Sequence, residues 1–411
     1  MPHWYSLVID RLSLSSPWLD VLLPVSLLGL FFERDTDPLW MILILTLWCI
    51  LKFVNKLSEQ PIYGVLIGVL IVSFGALVHP LSNSSPSDLI LVLMAFAAGL
   101  QQTNKYWQVS LFMLLFGVIF AIPFVESSSP SYNGNLDFIP FSFIREALPQ
   151  YAVRIQKIAI NRSGYLFGLM ALAGCGLWRF SRHATISWLA GIGGVIGLVL
   201  AFSTGSRAAL GISFLAVIFA EVCWRCRVRV VKHAKALAAF FLVIVTVLNL
   251  LLYLPISPMA YRNSSDAARA DVAQCFVREG FSSLPQVIVG GGFDRVSDRC
   301  FEVTKENINS LYARGISHAH NSFLQVLADQ GLIAFLLLIF SFWLVLWRLF
   351  VALEWDDLGV AWTGLACVFL ILIFAIVGST LIKTSLQQVV TGYLLSMAWM
   401  CPSGKEEEEP I

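Results

Sequence analysis

At 411 residues, with 58% hydrophobic and 13% charged side chains, this chain carries about half the ~25% charge of a soluble domain. That excludes a water-soluble globular protein and leaves an integral membrane one. A net charge of +1, from 27 basic and 26 acidic residues, gives no electrostatic case for nucleic acid as a partner.

A hydrocarbon core of roughly 30 Å takes about 20 apolar residues in helical form. Twelve segments meet or approach that length: 17–33, 38–54, 61–79, 87–103, 106–124, 164–180, 185–203, 207–224, 235–256, 321–347, 357–379 and 383–401. The first lacks a small-residue cleavage site and is followed by further spans, so it reads as a retained helix and not a signal peptide. The expected fold is an all-α integral membrane protein of about 12 transmembrane helices with one large external loop. Nine spans fall within 1–256, the loop is 257–319, three more spans fall within 320–401, and a tail follows at 402–411.

In chain order, the first loop contains Glu33-Arg34-Asp35-Thr36-Asp37-Pro38. Its D-x-D spacing could bridge Mg²⁺ or Mn²⁺ to phosphate, but it better suits a helix start with Asp37 as cap and Pro38 in the first position. Segment 125–162 opens on a Ser/Pro/Asn cluster. Apolar residues then recur at Phe143, Ile144, Leu148, Tyr151, Ile155 and Ile158, with Arg145, Arg154 and Lys157 between them. The pattern predicts an amphipathic helix in the membrane interface; a lid packed on other spans would share it. The link between spans eight and nine holds Arg225, Arg227, Arg229, Lys232 and Lys235, which the positive-inside rule places in the cytoplasm. Alternation then puts Lys52, Lys56, Lys105, Arg179, Arg182 and Arg348 on that side, with both termini, and puts 125–162 and 257–319 outside.

Cys49, Cys175, Cys223, Cys226, Cys367 and Cys401 fall in spans or near the cytoplasmic face, whereas Cys275 and Cys300 share the long external loop. A disulfide there would suit an oxidising compartment; two buried thiols are the alternative. Cys223 and Cys226 form a lone C-x-x-C with no second pair to complete a zinc site. Gly290-Gly291-Gly292 lacks the spacing and the following apolar helix of a dinucleotide fingerprint, but it permits a sharp turn or a close backbone approach.

The most chemically suggestive stretch is Ser317-His318-Ala319-His320-Asn321, where the polar loop becomes an apolar helix. At about 100° per residue, His320, Leu324, Leu327 and Gly331 share a helical face, and Gly331 would let a neighbouring element approach closely. Asn321 or Ser317 can cap the helix. The positive helix end disfavours imidazolium, which suits a general base. His318 is a second partner or a plain surface residue, and on these residues alone His320 fits an interfacial structural histidine as well as a base. Arg207 opens a span after Thr204-Gly205-Ser206, and Arg269 opens a short helix in the external loop. A guanidinium at bilayer depth is costly enough to be paired, functional or snorkelling to headgroups. Two external arginines beside a histidine form a plausible diphosphate clamp next to a base.

The chain resembles the O-antigen ligase and O-antigen polymerase superfamily of bacterial envelope glycosyltransferases. The resemblance rests on His320-Asn321 followed after nine residues by Gly331, on Thr204-Gly205-Ser206-Arg207 opening a span, and on an arginine-led loop helix with a Gly-rich turn. Twelve spans with one large loop before the histidine span agree with it. Where the family pattern has a second glycine, this chain has Ala334. The resemblance implies a GT-C-like fold and an inverting, metal-independent transferase at the periplasmic face of the bacterial inner membrane, with no cofactor. The donor would be a glycan on undecaprenyl diphosphate and the acceptor a sugar hydroxyl of lipid A–core. His320 would be the base, Arg207 and Arg269 would hold the leaving diphosphate, and His318 and Asn321 would line the substrate site. An O-antigen polymerase or a protein O-oligosaccharyltransferase would show similar features.

Two rivals remain. The Asp35/Asp37 pair would fit a metal-dependent polyprenyl-phosphate glycosyltransferase. A twelve-span transporter is the non-enzymatic reading, although major-facilitator carriers place their long loop centrally and in the cytoplasm.

Overall fold

The computed structural model describes residues 125–128, 152–155, 160–204, 206–253, 264–292, 295–300, 319, 321–356, 359–378 and 385–400. The first five apolar segments, the Asp35/Asp37 pair and the acidic tail lie outside the described residues.

What is described is helical apart from one short antiparallel ladder, β1 (Val125–Ser128) with β2 (Ala152–Ile155). β2 overturns part of the interfacial helix expected over 125–162. Val125 stands opposite Ile155 and Glu126 opposite Arg154 in the register. β-branched residues on both strands favour this pleated pairing, and the ladder gives the backbone partners that a helix would otherwise supply. Phe143, Ile144, Leu148, Tyr151 and Ile158 lie outside the described residues.

The remaining elements are α1 (Ile160–Phe180), α2 (Ala184–Ser203), α3 (Arg207–Arg225), α4 (Arg227–Lys232), α5 (Ala234–Tyr253), α6 (Ser264–Gly280), α7 (Leu284–Val289), α8 (Ser322–Ala352), α9 (Val360–Val377) and α10 (Ser385–Met400). The sixth to twelfth apolar segments thus coincide with α1, α2, α3, α5, α8, α9 and α10. Among the described residues, three helices are long and apolar enough to cross a membrane: Ala184–Ser203, Ala208–Arg225 and Ser322–Trp355. Ala234–Asn249 and Val360–Ile376 are shorter apolar helices.

α9 lies at the centre, packed by α1, α3, α8 and α10. Its sequence, apolar on every side, fits that position, and Leu365, Ala366, Cys367, Val368, Leu370, Ile371 and Leu372 are all inaccessible. α2 lies at the edge. Its small residues Ala190, Gly193, Gly197 and Ala201 are buried, while Trp188, Ile192, Val195 and Val199 are exposed, as lipid-facing residues would be. Small residues let backbones approach in membranes, where dispersion contacts drive packing. A Cβ on Gly174 of α1 would stand 2.6 Å from Gly194 Cα and 2.7 Å from Ala190 O of α2.

Cations and aromatic rings concentrate at one end of this bundle. Arg179 reaches Glu221, which also takes Arg225 at 2.8 Å. The Arg179 guanidinium lies 5.0 Å from the Phe180 ring, 5.8 Å from Trp224 and 5.6 Å from Trp362. Lys235 stands over Trp347 at 5.0 Å and Arg348 over Trp399 at 5.1 Å. Asp356 closes the corner between α8 and α9, its Oδ2 accepting the Trp362 N–H at 2.9 Å. Burial pushes its carboxyl up to about 6, against the backbone N–H groups of 359–362, which pull it down.

Candidate functional site

Of the residues singled out by sequence, Asn321 lies at the opposite end of the bundle. α8 begins at Ser322, with Asn321 as its N-cap; the Asn321 side chain accepts the Leu324 N–H at 2.9 Å. The capping expectation for Asn321 is met. His318 and His320 themselves lie outside the described residues.

Two other spans hold this cap in place. Asn321 Nδ2 donates to Asn249 Oδ1, near the end of α5. Ser322 donates through its backbone N–H at 3.2 Å and its hydroxyl at 3.0 Å to Gly378 O, just beyond α9. Three helix ends therefore converge at Asn321 and Ser322. Asn249 was not singled out from the sequence, although a lone amide in the apolar run of α5 was a visible signal, since polar groups in such helices seek partners.

The shared helical face of Leu324, Leu327 and Gly331 does not survive the structure. Gly331 has φ 81° and ψ 179°, so α8 is two helices joined at a break. The break is closed by the glycine turn: Gly291 N–H donates to Ala328 O and Gly292 N–H to Asp329 O, both at 2.9 Å. Carbonyls that a continuous helix would have consumed are satisfied from the loop. Gly290 and Gly292 also have positive φ, at 86° and 102°. A Cβ on Gly331 would fall 2.6 Å from Ile288 C, and one on Gly290 2.6 Å from Gln330 C. The close approach expected at Gly331 and the one allowed at the triple glycine are a single contact between them.

A compact unit sits on the first part of α8. Cys275 and Cys300 are joined in a disulfide with Cα atoms 5.8 Å apart, which decides between the two states their spacing allowed. Val272, Phe276, Val296, Cys275 and Cys300 form one buried cluster with Ala319, Leu324 and Ala328. A polar strut crosses the same contact. Gln325 accepts the Ala319 N–H at 2.9 Å and donates to Ser297 at 2.6 Å and to Asp329 at 2.5 Å. Ala319, between the two histidines, is thereby held by its N–H and by its buried side chain.

Arg207 is the first residue of α3, as expected, and Ser206 caps that helix by accepting the Ala209 N–H at 3.3 Å. Thr204 closes α2 by donating to Ala201 O at 2.7 Å, and its hydroxyl accepts the Ser206 N–H at 3.2 Å. This corner is packed on α1, where a Cβ on Gly164 would meet Ala209 Cβ at 2.8 Å and Ser206 Cβ at 3.0 Å. Arg269 lies within α6, which already begins at Ser264, so it sits in the second turn and does not open the helix. The Arg207 and Arg269 side chains lie outside the described residues.

No protein-family model and no curated protein matches the chain.

Proposed function

We propose that this chain is an O-antigen ligase-type glycosyltransferase of the bacterial inner membrane. In this reading twelve spans place both termini in the cytoplasm and residues 257–319 in the periplasm. A glycan on undecaprenyl diphosphate is transferred to a sugar hydroxyl of lipid A–core. His320 removes the hydroxyl proton, the oxygen attacks the anomeric carbon with inversion, and the carbon–phosphate oxygen bond breaks. Arg207 and Arg269 hold the departing diphosphate, so the step is metal-independent. Fixed guanidiniums where negative charge develops would lower the barrier as well as bind.

One observation carries this reading. The peptide between His318 and His320 is buried in the same cluster as the disulfide-closed unit, at the point where three helix ends meet. A base presented there would have its loop, its helix and its neighbouring spans fixed before substrate arrives, as preorganised catalysis requires. The disulfide supports an oxidising compartment on that side, and the cations at the far end support the cytoplasm on the other.

The test is a gene deletion followed by a lipopolysaccharide gel. A ligase leaves lipid A–core without O-chain while polymerised glycan remains on undecaprenyl diphosphate. Core capped with a single repeat unit would instead identify a polymerase. His320→Ala should reproduce the deletion while still inserting in the membrane; near-normal transfer would remove the base assignment.

A further inference from the structure

Residues 280–293 contain no ionisable side chain, yet 281–289 are exposed or half-exposed on the disulfide-closed unit. Phe281 is 37% exposed, Leu284 73% and Ile288 39%. Leu284 and Ile288, four residues apart, share one face of α7, and Phe281 leads into it. A contiguous apolar ridge facing water is uncommon on a folded unit and marks a contact.

The Gly331 break sets the height of that ridge. α7 packs on α8, and the Ile288 carbonyl group lies against Gly331. Beyond the break, Leu332–Ala352 extends about 31 Å at about 1.5 Å per residue, the thickness of a hydrocarbon core. Leu332, Ile333 and Leu336, the first exposed apolar residues of that run, therefore mark the rim of the bilayer, and α7, held against α8 at Gly331, lies beside that rim. Basic residues flank it: Arg278 and Arg299, 66% and 53% exposed, share Glu279 at 3.2 and 3.7 Å. An uncharged apolar ridge beside the start of a membrane-length helix, with charged residues only at its margin, is the composition of a segment that lies in a lipid interface.

We propose that Phe281 and α7 form a foot that rests among the headgroups and upper acyl chains of the leaflet on the Gly331 side. The partner is the phospholipid bilayer, and the foot fixes the disulfide-closed unit against the membrane surface. The inference does not depend on the chain transferring a glycan.

The experiment places p-benzoylphenylalanine at position 281 or 284 of the full chain. Each protein is reconstituted in nanodiscs of phosphatidylethanolamine and phosphatidylglycerol and irradiated, and the adducts are read by mass spectrometry. Position 281 exchanges one aromatic ring for another and keeps the test valid should the change at 284 disturb folding. Exposed Asp298 is the reference. The expected result is phospholipid adducts at 281 and 284 several-fold above those at 298. Adduct yields equal to the reference would overturn the proposal, as would photoproducts joining the ridge to another segment of this chain or to a second copy.

Discussion

Glycine brings backbones together in two regions of this molecule, by opposite means. Between α1 and α2 the helices stay intact, and Gly174 simply omits a side chain so that Gly194 and Ala190 can approach. At the far side of the bundle, Gly331 leaves helical geometry altogether, and Gly291 and Gly292 turn their amides toward the carbonyls it frees. The first contact trades side-chain volume for dispersion. The second also exchanges intrahelical hydrogen bonds for bonds to a separate unit, so α8 and the disulfide-closed segment become interdependent. Close packing alone suits a bundle that only has to hold together. A break repaired by a loop fixes the loop in register with the helix, which is what a site assembled from both would need.

The sharpest way to break this contrast is Gly331→Ala. The residue has positive φ and a Cβ would meet backbone that cannot yield, so the expected cost is roughly 3 kcal/mol or more. Proteolysis should then cut within 257–319 while α1 to α3 stay protected. Uniform loss of the whole chain would mean that the two regions are not separable. Gly174→Ala adds only volume, against backbone at 2.6–2.7 Å. Overpacking of that kind costs about 1–3 kcal/mol, and thermal unfolding in detergent should fall with no new cleavage in 257–319.

The other end of α8 offers a pH test. The folded carboxyl of Asp356 titrates near 6 because burial raises it from 3.8. Its raised value means that its contribution to stability is complete below about pH 4 and is lost as pH rises through about 6. Asp356→Asn should flatten the unfolding temperature between pH 4 and 6; an unchanged slope would show that another group sets it. Asn249→Leu removes the partner of the Asn321 amide, at an expected cost of about 1 kcal/mol. In the proposed enzyme it should also slow transfer with little change in folding, and a double variant with Asn321→Ala should show non-additive losses. The smallest effect belongs to Gly211→Ala. No atom lies within 4 Å of the new Cβ, so helix propensity alone should act, favouring the variant by up to about 1 kcal/mol.

Much of this was legible because the bilayer makes a strong demand on sequence. Seven apolar segments became helices with ends near those read from hydropathy, since apolar length alone decides such elements. Asn321 as a cap and Arg207 at a helix start were likewise local matters. The amphipathic pattern at 152–155 misled, because the period of a four-residue window does not separate helix from strand, and the partner at 125–128 is remote in sequence.

Gly331 was legible as a point of close approach but not as a break, because a glycine with negative φ and one with positive φ are written with the same letter. Its conformation depends on Gly290 to Gly292, some forty residues away. The Asn249–Asn321 pair, 72 residues apart, and the Gln325 strut to Ser297 were hidden for the same reason. The sequence by itself determined that this chain is helical, apolar and charged mainly between its apolar segments, because those properties follow from composition summed over short windows. The tertiary structure decided where α8 breaks, which cysteines join and what holds the His-Asn stretch, because each depends on a partner that only folding brings into reach.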